Sequence, residues 1–279
     1  MARSHILKGF SDLESALWVH KYHPGLKTIR QIVKMALENG YPVTDTARYE
    51  AVQLLSEWGL TDIKSRSLTL EGEAFYSMWE TKRGTAIDFL HARQYSLWTQ
   101  NAPEQNIASW AYKNICDYLW VRQTFPDREQ DLVAYINDLR ISDEVVIPPN
   151  IGNAFSNKSI NDVYDWLLPL DPPVLENSEI GGRSLRGTTF SRRNFCSTLL
   201  FMMALGYIVR ESDTTLGDLV KVDETRKQAA CCFCLIDETG FDLMLDEALR
   251  QVPYLSVQRG WDGVYVVLNQ EPKIRDFID

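Results

Sequence analysis

The sequence predicts a mainly helical chain with a small β contribution, an α+β organisation in three parts: residues 1–83, a helical region 84–144, and a C-terminal α+β part 154–279. Three observations lead there. Long stretches carry apolar residues at helical spacing, as in Ile29, Ile32, Val33, Met35 and Ala36. Two short β-rich runs, "YLSVQ" and "GVYVVLN", flank the turn "RGWDG" near the C-terminus. Between them "VVIPPNIGN", Val145 to Asn153, breaks the helical pattern and marks a boundary. With 279 residues, 45% hydrophobic and 24% charged, the chain has room for two modest domains or one large one.

The first clear helix runs from Thr28 to a stop at Gly40. After a short link, Thr44 or Asp45 caps a second helix, in which Ala47, Ala51, Leu54, Leu55 and Trp58 form the apolar face and Gly59 ends it. The link has the length of a helix-turn-helix. Ile63 and Leu68–Leu70 then read as two short strands around Lys64-Ser65-Arg66-Ser67, and Glu71-Gly72 opens another helix.

Two segments, "LLSEWGLTD" and "SLTLEGEAF", carry a family resemblance. The order is a helix ending in an aliphatic-Gly-aliphatic step, a short wing, then a Leu-Thr-x-x-Gly turn into a helix. It resembles the winged-helix superfamily over residues 28–82, and 1–83 is expected to be such a domain. The resemblance implies that the second helix of the pair enters the DNA major groove by its N-terminal residues. Those are Thr44, Thr46, Arg48 and Tyr49, with Gln53 one turn on; Lys64 and Arg66 sit on the wing. Arg, Gln and Thr suit base edges, and Tyr and Thr reach phosphates. Asp45, Glu50 and Glu57 near the same helix favour the rival use, docking another protein.

Residues 84–98, 103–121 and 127–140 each read as amphipathic helices. A short helix follows from about Ser159 to Leu168, and "LDPPVLEN" cannot be helical. Next comes "GGRSLRGTTFSRRNF", Gly181 to Phe195. Arg183 and Arg186 are expected in a glycine-containing loop. Arg192 and Arg193 are expected in the first turn of a helix capped by Ser191 and ended by Gly206, with a strand from Tyr207. Cations there oppose the helix dipole, so an anion is expected nearby: a DNA phosphate, or an acidic surface of the chain itself such as Asp162, Asp165, Asp171 or Glu176. A second, diverged winged helix is therefore expected near 159–222. "AACCFCLID" reads as a buried strand and "TGFDLMLDEALRQV" as a helix.

Net charge narrows the partners. The chain carries -9 overall; residues 1–95 hold twelve Lys/Arg and eleven Asp/Glu, and residues 96–279 hold seventeen and twenty-seven. Nucleic-acid contact must therefore use local patches: Thr44, Thr46, Arg48, Tyr49, Gln53, Lys64, Arg66, Arg183, Arg186, Arg192 and Arg193. The apolar run Leu199–Val209 is too short to cross a bilayer, the N-terminus has no signal core, and the expectation is a cytoplasmic protein.

Five cysteines without a regular framework exclude a disulfide scaffold. His20 and His23 have helical ligand spacing but lack partners, so neither a metal nor another cofactor is expected. No catalytic motif is present. The loose carboxylate–lysine sets Asp62/Glu80/Lys82 and Asp262/Glu271/Lys273 leave a metal-dependent nuclease as a third possibility. The leading expectation is a non-catalytic protein that binds double-stranded DNA, as a regulator or as a subunit among other protein subunits. A protein–protein adaptor is the alternative.

Overall fold

The structure, a computed structural model, describes residues 9–26, 28–41, 48–62, 64–99, 106–124, 129–142, 157–180, 183–212 and 214–278. It is mainly helical, with eleven α-helices and two small antiparallel sheets among the described residues. The predicted boundary at 145–153 lies outside the described residues.

The N-terminal part opens with α1 (Phe10–Tyr22), a helix that the sequence pattern does not announce, followed by α2 (Ile29–Glu38) and α3 (Arg48–Glu57). A capping box starts α2: Thr28 accepts from the Gln31 amide, and the Gln31 side chain accepts from Thr28 N–H. Among the described residues the turn expected to be a wing carries one isolated bridge, Thr61 to Leu68, and Ile63 lies outside the described residues. Leu70 already belongs to α4 (Leu70–Thr81), so the second short strand is a single residue.

The Leu-Thr-x-x-Gly turn now has a physical cause. Thr69 Oγ1 accepts from Gly72 N–H at 3.0 Å and donates to the Gly59 carbonyl at 2.6 Å. A Cβ at Gly72 would lie 1.9 Å from the Leu60 carbonyl oxygen. Only glycine lets α4 begin this close to the end of the preceding helix.

The helical middle is α5 (Arg83–Ser96), α6 (Ile107–Arg122), α7 (Glu129–Ser142) and α8 (Asn157–Leu167). Trp58, Trp110, Trp120 and Trp166 are almost wholly buried, in a core that runs unbroken from Leu13 to Ile274. A buried side chain of this size contributes roughly 1.5–3 kcal/mol or more. The C-terminal tail returns to the first half: Ile274 is buried, and Lys82 Nζ donates to the Phe277 carbonyl at 3.3 Å.

Four expectations for the C-terminal part are corrected. Arg183 and Arg186 lie in a strand, not a loop: β1 (Leu175–Ile180) pairs antiparallel with β2 (Arg183–Phe190). Ser191 caps no helix; the cap is Ser197, and the helix α9 spans Thr198–Arg210. Gly206 does not end it and Tyr207 does not begin a strand: the helix continues through Arg210, with Ile208 and Val209 extending its buried side. "AACCFCLID" is not a strand. Asp223 accepts from Arg226 N–H and starts α10 (Glu224–Cys234), which ends at Leu235 in the left-handed conformation.

From α9 the chain continues through β3 (Val220–Val222), α10, α11 (Glu238–Gln251), β4 (Leu255–Gly260) and β5 (Gly263–Leu268). The sheet order is β3-β5-β4, with both pairings antiparallel. At the start of α11 the device of α4 recurs. Asp237 accepts from Gly240 N–H, and a Cβ at Gly240 would meet the Asn194 carbonyl oxygen at 2.6 Å.

Candidate nucleic-acid interface

The four arginines of the basic stretch divide into two pairs. Arg192 and Arg193 precede α9 in an extended segment, not in a helical turn. Arg192 donates from Nε and Nη2 to the Trp120 carbonyl at 3.0 and 2.9 Å, and its guanidinium lies 3.7 Å from the Trp120 ring centroid. Trp120 is itself held by Nε1–H donating to the Ile236 carbonyl at 2.7 Å. Arg192 is thus a brace between the segment before α9 and α6.

Arg193 leaves the surface altogether. Its Nη1 donates to Asp88 Oδ1 at 3.0 Å, its Nε donates to the Cys234 carbonyl at 2.9 Å, and its side chain has no exposed area. The other Asp88 oxygen accepts from Ser197 N–H at 2.8 Å, beside the start of α9. Burial, the largest single influence, works against the guanidinium charge, but the Asp88 carboxylate together with the neighbouring Cys196 and Cys234 raises the Arg193 pKa. The anion expected near these arginines is therefore Asp88. The Asp171 contact runs through its backbone carbonyl, at 3.3 Å from Nη1. A side chain enclosed in this way cannot meet a phosphate, and Arg193 drops out of the interface.

Arg183 and Arg186 stand on the β1–β2 hairpin. Arg183 pairs with Ile180 at the distal end, so only Gly181-Gly182 links the strands. Arg186 falls where the register shifts: one residue of β1, Asn177, spans the stretch that β2 covers with Arg186, Gly187 and Thr188. Leu175 and Phe190 anchor the base in the core.

Of the N-terminal candidates, Thr44 and Thr46 lie outside the described residues. Arg48 and Tyr49 begin α3, and Gln53 is half-buried one turn on. Lys64 is exposed on the turn that Asp62 organises by accepting from the Lys64 and Ser65 amides. Arg66 is half-buried with φ of 56°, and its carbonyl accepts from His20 Nδ1–H at 2.9 Å. His20 thus serves the turn, and the His23 ring lies 5.2 Å from that of Trp18, tilted by 53°.

Four members of the nuclease-like sets have other partners. Asp62 holds the turn, Lys82 holds the tail, Asp262 pairs with Lys221, and Glu271 pairs with Arg210. Among the described residues no group of three or more His, Cys, Asp or Glu side chains is placed to hold a metal ion. All five cysteines are free and buried, and burial pushes the Cys231 thiol up to about 12, far from a reactive thiolate. Among the described residues no helix is long and apolar enough to cross a membrane.

Sequence reasoning missed the hairpin, although its signal was present: Gly181-Gly182 between two polar runs is a two-residue turn. It also passed over Trp261, which is fully exposed between β4 and β5. No protein-family model, curated protein or solved structure matches this chain.

Proposed function

We propose that this chain is a non-catalytic protein that binds double-stranded DNA, as a regulator or as a subunit of a DNA-handling assembly, and that it is built around two winged-helix units. The first comprises α1 to α3 with the short turn at 61–68. The second begins at α9. Its helix–strand–helix–helix–hairpin succession and its β3-β5-β4 sheet order support that reading, with β3 as its first strand.

One observation carries the DNA reading: the β1–β2 hairpin. It is a polar two-stranded ribbon with Arg183 at its distal pair and Arg186 at its register shift. The major groove admits such a ribbon, and arginine suits both guanine edges and phosphates. Lys64 and Arg66, with Arg48, Tyr49, Gln53 and the preceding Thr44 and Thr46, form the second part of the proposed contact.

Fluorescence anisotropy on a labelled duplex across a salt series tests this. Affinity should fall steeply with salt. Arg183→Glu with Arg186→Glu, and separately Lys64→Glu with Arg66→Glu, should each weaken binding and flatten the slope by about one for each phosphate no longer neutralised. Absence of binding at low salt overturns the reading.

A further inference from the structure

Beyond DNA binding, and independent of it, we infer that the exposed crest of α11 together with the β4–β5 tip is a docking surface for a cationic, apolar-containing segment of a partner protein. Three large apolar side chains surround this crest. Leu243 on α11 is 57% exposed, Phe195 is 50% exposed, and Trp261 is 100% exposed. Single exposed apolar residues are ordinary on a protein surface; three around one helix are not.

Their placement follows from contacts on either flank. After α11 the chain turns at Val252 and β4 runs back along the helix, so that Arg259 donates to Asp246 at 2.5 Å. The hairpin tip lies two residues further, about 7 Å. Leu243 lies just under one helical turn before Asp246, about 4.5 Å. The tip with Trp261 is therefore carried toward the Leu243 end of α11. On the opposite flank the extended segment before α9 runs beside α11: the Asn194 carbonyl abuts Gly240, and Thr198 Oγ1 donates to Gln251 at 2.8 Å. That segment carries Phe195.

Charge selects the occupant. Glu238, Asp242 and Asp246 are exposed on α11 and Glu247 is half-exposed, with Arg250 the only cation on the same helix. Residues 198–279 hold eight Lys/Arg against fourteen Asp/Glu, a balance of -6. A DNA backbone is repelled by such a face, whereas a Lys/Arg-bearing segment is drawn to it. The present counter-ions, Lys227 on Asp242, Arg259 on Asp246 and Arg250 on Glu247, form surface pairs. Such pairs contribute little and exchange readily for a partner's cations. Trp261 supplies the large aromatic anchor typical of interface centres.

The test uses the full chain and a fluorescein-labelled amphipathic peptide of leucine and lysine, with a leucine–glutamate peptide of the same pattern as control. The lysine peptide should bind and the glutamate peptide should not. Trp261→Ala with Leu243→Ala should weaken binding about tenfold or more. Asp242→Asn with Asp246→Asn and Glu247→Gln should weaken it and flatten its salt dependence. These side chains are at the surface, so an unchanged thermal melt certifies the variants. Equal binding of the two peptides, no binding, or an unaltered affinity in the variants overturns the inference. So does loss of duplex-DNA binding in the Trp261/Leu243 variant, which would make the face a nucleic-acid surface. Self-association of the wild type that this variant abolishes would make the occupant a second copy and also overturn it.

Discussion

Arg193 and Asp88 form a fully enclosed ion pair, Nη1 to Oδ1 at 3.0 Å, that ties α5 to the segment leading into α9. The pair links residues 105 apart in sequence and shares partners with the end of α10 and the first turn of α9. With Arg192 packed on Trp120 and Arg193 neutralising a buried carboxylate, both basic residues in a row are accounted for within the fold, ahead of the helix rather than in its first turn.

Removing one member leaves the other buried and unpaired. Arg193→Ala and Asp88→Ala should each cost about 3–5 kcal/mol, read as a shift in the urea midpoint. Replacing both, by Arg193→Met with Asp88→Leu, should recover part of the loss. A cost below about 1 kcal/mol for either single change would show that the pair does not clamp these elements.

Arg192→Lys separates architecture from DNA contact. Lysine cannot both fork onto the Trp120 carbonyl and stack on its ring. The expected loss is about 1–2 kcal/mol of stability with duplex affinity unchanged. Weaker duplex binding at an unchanged melting temperature would return Arg192 to the interface.

Gly72→Ala should destabilise by about 1–3 kcal/mol or more, because its Cβ has to displace the Leu60 carbonyl rather than a flexible side chain. Gly84→Ala is the control: the nearest atom to that Cβ is 3.9 Å away, and alanine favours the helix by up to ~1 kcal/mol. Equal urea midpoints for the two variants would refute the close-approach account of the Leu-Thr-x-x-Gly turn.

Helices with a one-sided apolar stripe were legible in the sequence, as α2, α5, α6 and α11 show. One failure has a clear cause: a short run that is apolar throughout carries no periodicity. Ala230–Ile236 is buried without a break, so a helix and a core strand look alike, and the Asp223 cap that decides between them lies seven residues upstream. Gly206 misled in the opposite direction. A helix interior tolerates glycine at a modest cost when the flanking residues are buried, and Tyr207–Arg210 continue α9.

The candidate interface was legible only by composition. Four arginines within eleven positions suggested a single basic patch, and no local rule distinguishes a surface arginine from one that crosses the core to Asp88. Trp261 shows the converse. A tryptophan flanked by Gly260 and Asp262-Gly263 at a tight turn is held away from the core by its own backbone, and that much is readable without coordinates.

His91 makes stability depend on pH in a defined window. Its Nε2–H donates to the Phe233 carbonyl and its Nδ1 accepts from the Tyr112 hydroxyl, both at 2.7 Å, a neutral imidazole with both nitrogens satisfied. Burial, reinforced by the Arg193 guanidinium, lowers its pKa to about 4 against the hydrogen bond to Phe233 and the Asp88 charge. The unfolded chain binds that proton at about 6.5. The contribution is therefore fully present above about pH 6.5 and is lost as pH falls toward 4, amounting to about 3 kcal/mol. Burial lowers the pKa of His20 too, so it acts with the same sign. Urea unfolding at a series of pH values from 7.5 to 4.5 should show stability falling over this range, and His91→Phe should be less stable at neutral pH but show a shallower fall. An identical slope in wild type and variant would mean that the buried imidazole takes up its proton without opening the core.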